Sequence, residues 1–451
     1  MRVSVCLGPI RRREFLQLGS LALGGLSLTN VLAGRAAAGT ARRDTSVILL
    51  YLHGGPTQLE TYDLKPDAPV EYRSIYQPIA TNVPGMDICE KFPLQAKIAD
   101  KFSLVRSLHH SVGIHSDGGI IVLTGKMPSK LDPTSQSKSE HPDFGMVTAK
   151  VRGPHPNSVP QHIAIPAPLY MTRPAYLGDQ FAPFTAGNPS AQGYTCPIPT
   201  LSPGATAGFA QRKQLRDQID RLRRDLAPSL ETSDEFRQRA FDMLTSTATT
   251  EAFDLSKEPD ALRDRYGRHL WGQGCLLARR LAEAGTAVIS LYIDAPENGQ
   301  DFTNWDDHIQ NAGRPGHFGK FLDVRLPYLD QALSALIEDI FQRGVDERIL
   351  VVVMGEFGRT PRLSHNVNGT GRDHWPDAYT ALVSGGGLRM GQVIGATNSK
   401  AEYPTERPYG PHDLLATVYR HLGVDTQQML TDHAGRPVPI LGDGTPITEL
   451  A

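Results

Sequence analysis

Uninterrupted apolar runs recur along the chain, and each ends in a short polar segment. The first is Val47–Leu52, VILLYL. Runs without alternation suit strands buried on both faces of a parallel sheet. Phe102–Ser107, Thr286–Ile293, Arg348–Gly355 and Ala378–Gly386 predict further strands. Helical patterns fall between them: Pro93–Lys101, Asp117 up to a stop at Gly125, Gly274 to a closing Gly285, Val324–Gly344, and Pro411–Gly423 with proline in its first turn. Arg212–Leu226 places Leu215, Ile219, Leu222 and Leu226 on one face and most of its charges on the other. Helices alternating with buried strands predict an α/β fold, a central mostly parallel sheet with helices on both faces. Pro128–Gly204 is rich in Pro, Gly and Ser and too long for a plain connection. It reads as an insertion that covers or shapes a site, with His141, His155 and His162 as surface loop residues. No internal repeat is visible.

Composition narrows the class. The chain has 451 residues, 40% hydrophobic and 21% charged, with a formal net charge of −2, so it is an ordinary globular protein with ample core. The neutral balance gives no reason to expect a nucleic-acid partner. No run of about 20 apolar residues follows the N-terminus, so no transmembrane segment is expected in the mature chain. The N-terminus itself reads as an address: RRREFLQLG, a weakly apolar Gly-rich stretch, then RAAAG. Arg12-Arg13-x-Phe15-Leu16 resembles a twin-arginine signal, which exports folded protein to the periplasm or beyond. Residues 1–38 are therefore expected to be signal, with cleavage near Ala38, and 39–451 one domain. Cys89, Cys196 and Cys275 are too widely spaced for a CxxC metal knuckle and read as inert thiols.

In open α/β sheets, ligands bind beyond the carboxyl ends of the strands. After the first strand comes His53-Gly54-Gly55. After the second come His109, His110, His115, Ser116 and Asp117. After Thr286–Ile293 come Asp294, Asp306, Asp307 and His308. After Arg348–Gly355 come Glu356, then Asp373 and His374. The strand ends at His53, Asp294, Gly355 and Ser384 are expected on one side of the sheet. Histidine with Asp or Glu is the ligand set of hydrolytic metal sites, and the divalent ion expected is zinc, manganese, iron or calcium. Arg359 and Arg372 are candidates to hold an anionic substrate by paired hydrogen bonds; the alternative is a salt bridge to an acid. His53-Gly54-Gly55 also matches the oxyanion loop of lipases, but the mature chain lacks Gly-x-Ser-x-Gly.

The order of elements resembles the alkaline phosphatase and sulfatase superfamily over most of the mature chain. HSDGGIIVLTGK looks like the sulfatase nucleophile helix, VVVMGEFGRTP like the strand before the Asp-His metal pair, and GRDHW like the later metal-binding histidine. The twin-arginine signal, HGGP, LTGK, EFGRTP and GRDHW together resemble one exported bacterial family, domain of unknown function fifteen-oh-one, described as sulfatase-like. The resemblance implies an alkaline-phosphatase-like fold, with His115 or Ser116 at the nucleophile position and His53, Asp306, His308, Glu356 and His374 as metal ligands. Gly54 and Gly55 would border the substrate. Two departures matter. His115-Ser116-Asp117-Gly118-Gly119 stands in place of Cys-x-Pro-x-Arg, so no formylglycine can form, and Phe357 replaces the histidine of the metal pair. These favour one metal, or a metal-activated hydroxide as nucleophile. The leading expectation is an exported metal-dependent hydrolase of phosphate or sulfate esters, with carbohydrate as a candidate carrier of the ester. A non-catalytic anion- or glycan-binding protein is the alternative, and a serine esterase the third reading.

Overall fold

Eight strands build the central sheet of this computed structural model, which describes residues 44–198, 246–297, 304–311, 314–315 and 318–451. The signal segment and the Arg212–Leu226 pattern lie outside the described residues. The strands are β1 (Ser46–Tyr51), β2 (Phe102–Leu108), β3 (His162–Ile165), β4 (Phe184–Thr185), β5 (Val288–Tyr292), β6 (Ile349–Met354), β7 (Tyr379–Gly385) and β8 (Val393–Ile394), in the spatial order β8-β2-β7-β6-β1-β5-β3-β4. β1 runs parallel to β6 and β5, β3 parallel to β5 and β4, and β8 parallel to β2. β7 alone reverses, antiparallel to both β6 and β2.

That reversal corrects one expectation. β1, β5 and β6 end at the same edge, which groups His53, Asp294 and Gly355. Ser384 pairs with Val351 and Phe102 at the starts of β6 and β2, so it lies at the opposite edge. The link from β6 to β7 carries only short hairpins and no crossover helix. It therefore stays at the carboxyl edge, and the returning strand must run antiparallel.

Long helices cover both faces: α1 (His115–Thr124), α2 (Phe144–Arg152), α3 (Leu270–Ala284), α4 (Phe318–Gln342) and α5 (Pro411–Leu422). The pleat of β1 divides the core. Val47, Leu49 and Tyr51 pack with α1, α2 and α5, while Ile48, Leu50 and Leu52 pack with α3 and α4. α1 and α3 stop where Gly125 and Gly285 were expected to end them. α4 begins at Phe318 and continues through Pro327, because buried Phe318, Phe321, Leu322 and Leu326 hold the extra turns onto the core. Pro93–Lys101 is two short pieces, a helix at Pro93–Ala96 and a 3₁₀ turn at Ala99–Lys101.

The Pro/Gly-rich stretch from 128 is not an appendage. It supplies α2, β3 and β4 and so completes one side of the sheet, burying His162 against Ser290 at 3.2 Å. Among the described residues of this stretch, Tyr170 borders the site, its ring 5.2 Å from that of His53. Cys89, Cys196 and Cys275 are free thiols. Among the described residues, no helix is long and apolar enough to cross a membrane.

Candidate metal centre

Two glycines let the loops at the carboxyl edge meet. Gly54 has φ +108°, and a Cβ there would lie 2.5 Å from the Asp306 backbone nitrogen and 2.8 Å from that of Trp305. The close approach is fixed by Trp305 N–H donating to the His53 carbonyl at 2.7 Å. Gly371 does the same from the other side, where a Cβ would lie 2.2 Å from the Ile309 nitrogen, and Arg372 N–H donates to the Asp307 carbonyl at 3.0 Å. The Asp306–His308 segment is thereby wedged between the β1 loop and the short strand His374–Trp375, which pairs with Gly358–Arg359.

His115, Asp306, His308 and His374 converge there, with ligand-capable atoms all within 4.8 Å of one another. Asp306 is the hub. Its Oδ2 lies 3.3 Å from His115 Nε2, and its Oδ1 lies 2.8 Å from His308 Nε2 and 3.1 Å from His374 Nε2. The two Nε2 atoms of His308 and His374 face each other at 2.9 Å. Around a tetrahedral ion with bonds of about 2.1 Å, ligand atoms sit roughly 3.4 Å apart, so this spacing matches a metal's needs.

Each imidazole is held by its other nitrogen. His115 Nδ1 meets Glu356 Oε1 at 2.6 Å, His308 Nδ1 meets Asp373 Oδ1 at 2.7 Å, and His374 Nδ1 meets the Gly113 carbonyl at 2.7 Å. A carbonyl only accepts, so in neutral His374 the proton sits on Nδ1 and the Nε2 lone pair points into the cluster. Acceptors behind histidines in this way are the usual support of metal-ligating imidazoles. The four side chains keep 13–26% exposure, so the cluster is reachable from solvent.

Charge is concentrated here. Burial opposes ionisation of Asp306, yet Arg359 Nη2 at 2.5 Å and the three histidines hold its carboxyl far below the usual carboxylate range. Burial also opposes a charge on His115, but Asp306 and Glu356 outweigh it and lift its pKa to about 9. Glu356 is fully buried, which works against its charge, and His53 and His115 bring its pKa down to about 2. Burial lowers the pKa of His53 and of His374.

The other expected site residues are placed differently from their assigned roles. Glu356 stands behind His115 and outside the four-residue cluster, its Oε1 also accepting the Gly54 N–H at 2.8 Å. That bond occupies the amide an oxyanion would need. His53 flanks the cluster, with Nδ1 3.6 Å from Glu356 Oε1 and its ring between Tyr292 at 5.3 Å and Tyr170 at 5.2 Å. Gly55 has φ +79° and faces the Phe357 ring, while its carbonyl accepts from Arg359 Nε at 2.9 Å. Ser116 is fully buried with its hydroxyl toward Asp117 at 3.4 Å, so it presents no nucleophile. Arg372 is fully buried on Glu60 at 2.8 Å and on the Thr360 carbonyl at 3.0 Å, and so is closed to a substrate anion. Arg359 is equally buried, bonded to Asp306 and to the carbonyls of Gly54, Gly55 and Trp305. Both arginines take the salt-bridge alternative.

Sequence reasoning missed three supports. Asp373 stood among the polar residues after a strand without a role, and its bond to His308 makes it the holder of a candidate ligand. The Gly113 carbonyl carries no side-chain signal at all. Tyr170 comes from the Pro/Gly-rich stretch, where nothing local marks it.

An α/β sheet with three histidines and an aspartate gathered at its carboxyl edge defines the class, an α/β protein with a candidate metal centre. The chain belongs to the family described as "Protein of unknown function (DUF1501)", which matches residues 44–451. No curated protein matches the sequence. Solved structures similar to it include the PsFucS1 sulfatase from Pseudoalteromonas sp., at 13% identity and TM-score 0.41, covering 98% of this chain and 76% of that one. A putative sulfatase from Bacteroides thetaiotaomicron VPI-5482 is similar at 9% identity and TM-score 0.40, covering 90% and 74%. The phosphonate monoester hydrolase SpPMH from Silicibacter pomeroyi is similar at 10% identity and TM-score 0.26, covering 84% and 74%.

Proposed function

We propose that this chain is an exported, metal-dependent hydrolase of phosphate or sulfate esters, with one divalent ion held by His115, Asp306, His308 and His374. The observation that carries the reading is the convergence of three imidazoles on Asp306, each with Nδ1 already engaged and Nε2 directed inward. A bound ion would polarise an ester oxygen and bring the pKa of water near 7. The chain's own residues do the positioning. Glu356, Asp373 and the Gly113 carbonyl fix the rings, and Arg359 fixes the Asp306 carboxylate. Phe357, fully buried with its ring 4.6 Å from His374 and 5.1 Å from His115, keeps that wall dry. Burial keeps His53 neutral near pH 7, so it is a proton acceptor at the rim. With Arg359 and Arg372 both buried, an anionic ester would be neutralised at the ion and not by a guanidinium. Zinc, manganese, iron and calcium are the candidate ions, and loading before twin-arginine export suits the buried supports. The test is hydrolysis of aryl phosphates and aryl sulfates by the full chain, before and after chelation and reloading. Activity that vanishes on chelation and is absent in His374→Ala supports the reading. Metal uptake without turnover of any ester moves the protein to the binding alternative.

A further inference from the structure

Trp375 follows His374 on a short strand, where successive side chains leave opposite faces. Its indole lines a separate space, a cleft of about 550 Å³. Trp375, Tyr403, Pro404 and Pro408 give the cleft largely apolar walls, Asp377 and Glu402 give it two carboxylates, and His109 adds an imidazole. No lysine or arginine is among the described residues that line it. Neither carboxylate forms an ion pair among the described residues, and Glu402 accepts only a neutral amide hydrogen bond, from Asn398 at 2.7 Å. The indole N–H is spent on the Glu402 carbonyl at 2.7 Å, so the ring offers its π face.

Aromatic faces attract cations, and two unpaired carboxylates in the same cleft repel anions and reinforce that attraction. We propose that this cleft binds an organic ammonium group carried by a small molecule. A sulfate or phosphate group would face both carboxylates there, and a neutral polyol leaves both charges unanswered. The site is distinct from the metal cluster and is defined without it.

Trp375 supplies its own reporter. The chain has three tryptophans, and Trp271 and Trp305 are 1% and 0% exposed, so Trp375 is the one a solute reaches. Choline and tetramethylammonium are titrated into the chelated full chain while tryptophan fluorescence is followed, with the uncharged tert-butyl analogue of choline as control. The expected result is saturable binding of both cations, with the analogue weaker by about tenfold. Asp377→Asn and Glu402→Gln should each weaken choline by about fivefold without altering the far-UV circular dichroism. Equal affinity for the uncharged analogue would make the cleft merely apolar and overturn the proposal. A flat titration with either cation would do the same. Chelation keeps this outcome independent of whether the metal reading holds.

Discussion

Glu356 separates a ligand from a residue that positions one. Its carboxylate is fully buried and its Oε1 takes two donors, His115 Nδ1 at 2.6 Å and Gly54 N–H at 2.8 Å. Glu356→Gln keeps an acceptor oxygen of the same reach and removes only the charge. Removing the partner behind a ligating histidine costs about 10- to 100-fold in metal affinity, or about 1.4–2.7 kcal/mol. The glutamine variant should therefore still bind metal stoichiometrically, at an affinity reduced by that factor. Glu356→Ala behaves differently, because it strands two buried donors at about 1–3 kcal/mol each and lowers stability outright. Competition against a chelator of known affinity measures the first effect, and urea unfolding of the chelated protein measures the second. His374→Ala, which removes a proposed ligand, should lose more affinity than Glu356→Gln. If glutamine at 356 abolishes binding as fully as alanine at 374, Glu356 is a ligand after all. If it changes nothing, the carboxylate behind His115 has no role at the site.

Other outcomes follow from the same contacts. Gly54→Ala puts a Cβ 2.5 Å from the Asp306 nitrogen at φ +108° and should destabilise by about 2 kcal/mol or more, read by urea unfolding, with metal uptake reduced in the folded fraction. Arg372→Ala leaves Glu60 charged and buried and should cost about 3–5 kcal/mol, while folded protein retains its metal stoichiometry. His115, with a pKa raised to about 9 in the metal-free chain, is protonated at pH 7.5 and must lose that proton to coordinate. Calorimetry in buffers of different ionisation enthalpy should show about one proton released from it at pH 7.5 and a decline toward none as pH rises through 9. Replacing Arg12 and Arg13 with lysine should leave precursor in the cytoplasm, and normal export of that variant would remove the twin-arginine assignment.

Much of this arrangement was legible because ligand types follow buried strands. Val47–Leu52 and Arg348–Gly355 marked β1 and β6, and the residues after them brought His53 and Glu356 to one edge. His115, Asp306, His308 and His374 were visible for the same reason. Two things were hidden. Strand direction depends on the route between strands, so Ser384 was placed on the wrong side. The second partner of each polar group depends on tertiary contact. Whether Arg359 and Arg372 bind an anion or an acid was open until Asp306 and Glu60 enclosed them, and Ser116 stood at the implied nucleophile position until α1 buried it. Pro128–Gly204 read as a loop-rich insertion because β3 and β4, which fall within it, are only four and two residues long, too short for periodicity to register.

The central claim is that His115, Asp306, His308 and His374 hold one divalent ion. Elemental analysis of the full chain, folded in the cytoplasm and purified without chelator, tests it most directly. About one equivalent per chain in the wild type, falling to near zero in His374→Ala with an unchanged circular dichroism spectrum, is the expected result. A wild-type chain that holds no zinc, manganese, iron or calcium, even after incubation with each, would contradict it.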